Sequence, residues 1–312
     1  MLHKADFAGL NSIKANFDAI YNQADPREYF RVLGGLDYVI PELARTPFTA
    51  LAAAQRDRLG RKLRIADIGC SYGINAALLR YPLDIERLAR RYAAPEVQAL
   101  DSRALTWLDR SYYRSWPQRS TDSFVGVDTS LPATRYARRT GLIAAAVTSN
   151  LELQDPDPHE TEALRGLDMI LSTGCVGYVT ENTLDRILAL QQPGEMPWVA
   201  NLVLRIFPYD RIAQSLSRHG LVTEKLEGIT FVQRRFHSEN EYQETLRTLA
   251  ALGLDAEGKE ADGLFHAELH VSRPAADVEA MPLSEIISIT CGAGRSYGRR
   301  YASTATGVKL MN

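Results

Sequence analysis

Asp67, Gly69, Cys70, Ser71 and Gly73 share one short run, Asp-Ile-Gly-Cys-Ser-Tyr-Gly, between an apolar stretch and a helical one. Glycines at 69 and 73 let the backbone take positive φ and come close to a ligand. The helix that follows presents unpaired N–H groups at its start. The dinucleotide fingerprint G-x-G-x-x-G does not fit, and no Gly-Lys-Ser/Thr follows, so a P-loop is excluded. Further along, Asp128, Asn150-Leu151 and Thr173 each stand at the end of an apolar run. A carboxylate has two acceptor oxygens, which suit a diol. An amide can pair with the edge of a base, and a leucine can pack on its face. Tyr178 follows Thr173 in the loop Thr-Gly-Cys-Val-Gly-Tyr, and Tyr72 lies inside the glycine run, so both are candidates for a polar group at a reacting centre. Arg205 follows an apolar run and can hold a carboxylate or form an internal ion pair.

These groups need a frame that brings strand ends together. Apolar runs at 63–68, 123–128, 143–147, 167–172 and 198–205 alternate with helical patterns. That alternation predicts a parallel sheet with helices on both faces, an α/β fold, and ligands in such sheets sit at the carboxyl ends of the strands. After Gly220 the pattern turns antiparallel, with strand material at 221–226 and 229–236, a helix at 239–252 and a last strand at 267–272. Residues 1–60 read as an N-terminal helical lid. Phe7, Leu10, Ile13, Phe17, Ile20 and Tyr21 recur at helical spacing, and further helices follow Asp25-Pro26 and start at Pro41. This lid either carries Tyr21, Tyr29 and Tyr38 over a substrate or simply covers a sheet edge. Residues 93–121 form a pocket-shaping insertion, 61–274 the catalytic domain, and 275–312 an extension that is partly disordered or folds back.

The chain has 312 residues and a net charge of −2, so no basic field favours nucleic acid or an anionic membrane. Cys70, Cys175 and Cys291 lack metal-knuckle spacing, and the first residues lack the apolar core of a signal peptide. A cytoplasmic enzyme acting on a small molecule is expected, with its oligomeric state left open. His266, Glu268 and His270 alternate and point to one face of the last strand, either as metal ligands or as that strand's polar face; the polar face is the simpler reading, and no metal is assigned.

In this order along alternating strands, residues 61–274 resemble a class I S-adenosylmethionine (SAM) methyltransferase domain, with its Rossmann-like sheet. The resemblance implies that Asp67, Gly69, Cys70, Ser71 and Gly73 line the methionine end of SAM. It places Asp128 on the ribose with Thr129 beside it, Asn150 and Leu151 at the adenine, and Thr173 beneath the sulfonium. The segments YNQADPREYF, LGGLDYVIPELA, GCSYGINAALL, GCVGYVTENT and GKEADGLFHAELHVSRP are similar to a bacterial group of SAM enzymes tied to natural-product pathways, which includes enzymes that cyclise SAM to azetidine-2-carboxylate. The loop after the fourth strand is not Asn/Asp-Pro-Pro-Tyr, a departure from many nucleic-acid and amide N-methyltransferases. Three activities stay open: methyl transfer to a small-molecule acceptor, SAM cyclisation, and SAM binding without catalysis. For the first two, Tyr178, Tyr72 and Arg205 are the expected catalytic groups, and Tyr21 and Tyr29 the expected substrate contacts.

Overall fold

Five apolar runs form the parallel strands β1 (Arg64–Ile68), β2 (Ser123–Val127), β3 (Ala145–Val147), β4 (Met169–Thr173) and β5 (Trp198–Leu204). Ala66, Ile170, Leu171, Val199 and Ala200 on the central strands are fully buried, as a sheet covered on both faces demands. The structure, a computed structural model, describes residues 9–11, 14–289, 300–304 and 307–311. Three antiparallel strands complete the sheet: β6 (Leu221–Lys225), β7 (Phe231–Arg235) and β8 (Leu264–Pro274). The order is β3-β2-β1-β4-β5-β8-β6, with β7 also paired to β8, in a Rossmann-like α/β fold. β1 therefore lies between β2 and β4, at the switch point where such sheets open a crevice.

β8 is longer than its apolar core predicts, and its length matters. Its second half pairs with β6 and its first half with β7, so β6 and β7 run end to end along one edge. Because β8 is antiparallel to β5, its first half lies at the carboxyl end of the parallel strands. β7 thereby carries Gln233 and Arg234 up to the rim of the crevice.

The helices before β1 are α1 (Asp18–Tyr21), α2 (Arg27–Gly34) and α3 (Ile40–Leu59). Tyr29, Phe30, Leu33, Phe48 and Leu51 belong to the same apolar cluster as Ile65 and Ile68 of β1. One continuous first helix does not form. A helical turn at 9–11 and the single turn of α1 are separated by chain that is non-helical at 14–17. The Asn16 Oδ1 accepts from the Asp18 N–H at 2.7 Å, and the Ala15 N–H is drawn to Glu241 Oε1 at 2.8 Å. Local side-chain bonds and a distant partner outcompete the helix despite its apolar spacing. Phe7 and Ile13, two members of that spacing, lie outside the described residues, as does Cys291.

After β1 come α4 (Ile74–Arg80), α5 (Ile85–Ala93), α6 (Pro95–Gln98) and α7 (Ser102–Arg114), so the 93–121 segment is largely helical. Asp84 and Asp101 cap α5 and α7 by accepting N–H bonds from Arg87 and Ala104. The remaining helices of the sheet are α8 (Leu131–Thr140), α9 (Pro158–Leu164), α10 (Glu181–Leu188), α11 (Asp210–Arg218) and α12 (Glu239–Ala251). The helix α9 was not predicted, yet it carries a sequence sign, the capping box Asp157-Pro158-His159-Glu160. Past β8, α13 (Ala275–Ala280) and α14 (Leu283–Ile286) continue the chain, and β9 (Arg300–Thr304) pairs with β10 (Gly307–Met311). Among the described residues no helix is long and apolar enough to cross a membrane.

Candidate functional site

The floor of the crevice is the turn from β1 to α4. Gly69 and Gly73 adopt φ of +69° and +79°, and Ser71, unusually for a serine, +47°. A Cβ on Gly69 would stand 2.9 Å from the Cys175 Cβ, so only glycine fits between the β1 and β4 loops. Gly73 is the N-cap of α4, where a Cβ would press on Leu142 and Ala137; its role is packing rather than ligand contact. The strained turn is held by Asp128. Its Oδ2 accepts from the Ser71 N–H at 2.8 Å and its Oδ1 from the Ser130 N–H at 2.9 Å. Burial pushes its pKa up, and these two N–H bonds oppose the rise. Each oxygen keeps a further lone pair for a ligand.

Asp67, expected at the methionine end of SAM, lies beneath the turn, is fully buried and does not line the cavity; it meets the wall only through Asn75. Its Oδ1 accepts from Asn75 Nδ2 at 2.8 Å, and Asn75 Nδ2 also reaches Thr173 Oγ1 at 3.1 Å. Among the described residues its Oδ2 has no partner, nor have Ser71 Oγ and Asn75 Oδ1. Burial raises the Asp67 pKa to about 7, with the Asn75 bond lowering it and Asp128 adding to the rise.

The cavity above this floor has a volume of about 910 Å³. Gly69, Cys70 and Ser71 line it, as do Asp128 and Thr129 from the end of β2. Asn150 and Leu151, after β3, line it too. Asn150 spends its Oδ1 on the Glu152 N–H at 3.0 Å, which leaves its amide N–H groups available. The loop before it is braced by Glu160, whose Oε1 accepts from the Thr148 and Ser149 N–H groups at 2.6 and 3.0 Å. From the end of β4, Thr173, Cys175 and Tyr178 line the wall. Burial raises the Cys175 thiol to about 12, so it stays a thiol. Tyr178 sits on the lip, 53% exposed, and burial of its hydroxyl side still raises its pKa.

The roof comes from chain far away in sequence. Tyr21, Tyr29 and Tyr38 line the cavity, Tyr29 edge-on to Tyr21 and Tyr38 with ring centroids 5.9 and 6.1 Å apart. Burial lifts all three phenols, so they remain neutral donors. The strand of chain before them is tied down at several points. Asn11 Nδ2 donates to Gly177 O at 2.6 Å, Ser130 Oγ donates to Tyr21 O at 2.6 Å, and Glu241 holds the Ala15 N–H. Sequence reasoning missed Lys14, Asn75, Gln233 and Arg234, all on the wall. Asn75 carried a usable sign, a polar residue in the first turn of an otherwise apolar helix; Lys14, Gln233 and Arg234 carried none.

Two expected catalytic residues stand elsewhere. Tyr72 is fully buried and does not line the cavity; its hydroxyl faces Ile20 O at 2.8 Å and Gln23 O at 3.0 Å, anchoring the N-terminal segment to the glycine turn. Arg205 is also absent from the wall. It forms a buried ion pair with Glu260 and donates to Asp255 O at 2.7 Å, so the internal ion pair is the reading that fits. Nor do His266 and His270 face the site as ligands. His266 Nδ1 is bonded to Thr230 Oγ1 at 2.9 Å, His270 stacks on Tyr209 at 4.2 Å, and burial lowers both pKa values to about 4. Among the described residues no cluster of His, Cys, Asp and Glu is arranged to hold a metal ion.

No protein-family model matches the chain, and no curated protein matches it. Solved structures similar to it include magnesium protoporphyrin IX methyltransferase from Synechocystis PCC 6803 with bound SAM, at 10% identity and a TM-score of 0.39, over 88% of this chain and 99% of that one. The plantazolicin methyltransferase BamL, in complex with a triazolic analogue and SAH, is similar at 12% identity and a TM-score of 0.36, over 73% of this chain and 84% of that one. Precorrin-6y C5,15-methyltransferase from Geobacter metallireducens GS-15 is similar at 10% identity and a TM-score of 0.34, over 72% and 87%. Likenesses at these identities and scores are too loose to carry a substrate or a reaction, which must be argued from the cavity itself.

Proposed function

We propose that the chain binds SAM in this cavity and transfers its methyl group to a small-molecule acceptor. The observation that carries the reading is Asp128, a carboxylate clamped by two backbone N–H bonds at the end of β2 and facing a cavity built on a glycine turn. The residues present fit the group. Ser71 Oγ and Asn75 Oδ1, both on the wall, are buried polar atoms without partners among the described residues, suited to the ammonium end of a zwitterionic amino acid. Asp128 suits the ribose diol, and the Asn150 amide with the buried Leu151 suits the adenine.

SAM, when bound, supplies a strongly electrophilic methyl group on a sulfonium. The protein's work is then mainly alignment and exclusion of water. The tied N-terminal segment closes the roof, and the neutral tyrosines present polar edges without competing charge. Cys70 and Cys175, held as thiols by burial, do not compete as nucleophiles. A volume of about 910 Å³ lies near the upper end of the roughly 300–1,000 Å³ of small-ligand pockets, leaving room for an acceptor. A role in bacterial secondary metabolism rests on the sequence segments alone.

A second reading, cyclisation of SAM to azetidine-2-carboxylate with release of methylthioadenosine, is favoured by the tyrosine ring under a tied roof. Aromatic faces steady a sulfonium by about 0.5–2 kcal/mol. Incubation with SAM alone, then with candidate acceptors, separates the two: S-adenosylhomocysteine formed only with an acceptor supports transfer, and methylthioadenosine from SAM alone supports cyclisation. Calorimetric titration with S-adenosylhomocysteine tests the site itself. The Asp128→Ala variant should lose at least roughly tenfold in affinity, the equivalent of one charge-assisted bond pair. Unchanged affinity would remove Asp128 from the nucleoside and with it the basis of the proposal.

A further inference from the structure

Lys14 brings a charge to the roof that no carboxylate among the described residues pairs. Its ammonium lies 4.5 Å from the Tyr178 ring centroid and 5.4 Å from that of Phe207, on the cavity wall. It makes no ion pair with any described residue. The nearby carboxylate, Glu241, is already saturated. Its Oε1 accepts from Arg234 Nη2 and the Ala15 N–H at 2.6 and 2.8 Å, and its Oε2 from Arg234 Nη1 and the His237 N–H at 2.9 and 2.6 Å. The Arg234–Glu241 pair is therefore neutral as a unit, and Lys14 is surplus positive charge beside it. Asp18, also on the wall, is exposed and bonded locally to Asn16. Desolvation and the Arg234 charge lower the Lys14 pKa to about 8, so the ammonium form still prevails near neutrality. A desolvated cation is costly unless an anion meets it.

We infer that Lys14 Nζ, on the wall beside the Arg234–Glu241 pair, anchors a carboxylate of the ligand held in this cavity. Tyr21 and Tyr38 are neutral hydroxyl donors on the same wall and can complete the shell of such an anion. The carboxylate belongs to an acidic acceptor or to the amino-acid end of SAM. The inference rests on the proposed SAM site for only one of these sources.

The test uses the full-length chain, with Lys14→Met and Lys14→Arg variants, and two sets of probes. S-adenosylhomocysteine is compared with its decarboxylated analogue, and benzoate, phenylacetate and L-tyrosine are compared with their carboxamides. If the carboxylate is that of the cofactor, Lys14→Met loses roughly tenfold or more on S-adenosylhomocysteine and nothing on the decarboxylated analogue, while Lys14→Arg keeps most of the affinity. If it belongs to an acceptor, S-adenosylhomocysteine binding is unchanged. Wild type then prefers at least one carboxylate to its carboxamide roughly tenfold, and Lys14→Met erases that preference. Without ligand, Lys14→Met should unfold at a temperature equal to or above that of wild type, because an unmatched charge has been removed. Should that variant not fold, the wild-type preference and its retention by Lys14→Arg still decide. Equal binding of acids and amides, and of both nucleosides, by wild type and variants overturns the inference. Failure of wild type to bind S-adenosylhomocysteine at all would instead count against the SAM site and leave the acid–amide comparison readable.

Discussion

Replacing Asp67 by asparagine separates what the site costs from what it does. The native carboxylate is fully buried, has one oxygen without a partner, and carries a pKa of about 7 against the ordinary 3.8. Its folded value is raised, so its contribution to stability is complete below pH 3.8 and is lost as pH rises through 7. Between those values the unfolded chain releases a proton that the folded chain retains, and above 7 the loss levels off. A shift of about three units at about 1.36 kcal/mol each is a loss of about 4 kcal/mol. Asparagine has the same shape, still accepts from Asn75 Nδ2, and does not titrate. Urea unfolding of both proteins without ligand, from about pH 4.5 to about pH 7.5, should show the stability difference moving in favour of Asp67→Asn by about 3 kcal/mol. Other carboxylates titrate in both proteins and cancel in the difference. Affinity for S-adenosylhomocysteine should change little by comparison, because Asp67 lies behind the wall and reaches it only through Asn75. A stability difference that stays constant with pH, or that turns against asparagine as pH rises, refutes the account of Asp67 as a buried, unmatched carboxylate.

Tyr72→Phe removes a hydroxyl that faces two backbone carbonyls and should cost about 1–2 kcal/mol of stability, read by urea unfolding. Turnover per bound SAM should be nearly kept; a collapse in turnover with binding intact would return Tyr72 to the reacting centre. Glu260→Gln leaves the buried Arg205 guanidinium with only the more distant Glu268, at 3.8 Å, and should cost up to about 3 kcal/mol, with S-adenosylhomocysteine affinity of the folded fraction unchanged. A large loss of affinity with little loss of stability would place Arg205 in the site after all.

The parts of the site legible in the sequence are those carried by neighbours along the chain. An apolar run ending in Asp-x-Gly is a strand followed by a turn whatever the rest of the molecule does, so Gly69–Ser71, Asp128 and Thr173 could be placed from local pattern and strand alternation. The roof could not. Lys14 and Arg234 meet because β7 continues the line of β6 along β8, and nothing local in residues 229–236 reveals that stacking. The apolar spacing from Leu10 to Tyr21 misled for a related reason: the bonds that break the helix come from Glu241 and Asn16, one of them more than two hundred residues away. Arg205 and Tyr72 show a different limit. Residue type and position named them as chemical groups, but each sits at a junction where the fold needs a buried polar bond, and that need takes up their donors.

Some of the unmatched buried groups gather in one place. Native interiors leave few buried polar atoms without partners, yet Ser71 Oγ and Asn75 Oδ1 lie on the floor of one cavity with Asp67 Oδ2 beneath them, and the Lys14 ammonium stands in its roof. The floor carries unmatched acceptors, and the roof carries a cation whose neighbouring carboxylate, Glu241, is already taken. A neutral or purely apolar ligand would leave both deficits in place, and an anion alone would meet the roof but repel Asp67 and Asp128. A ligand with a cationic and an anionic end, or a cationic cofactor beside an acidic acceptor, answers both at once. The strain at Ser71, the raised carboxyl of Asp67 and the lone charge of Lys14 are thus one arrangement: stability is given up at each of these points, and the binding free energy of a charge-bearing ligand recovers it.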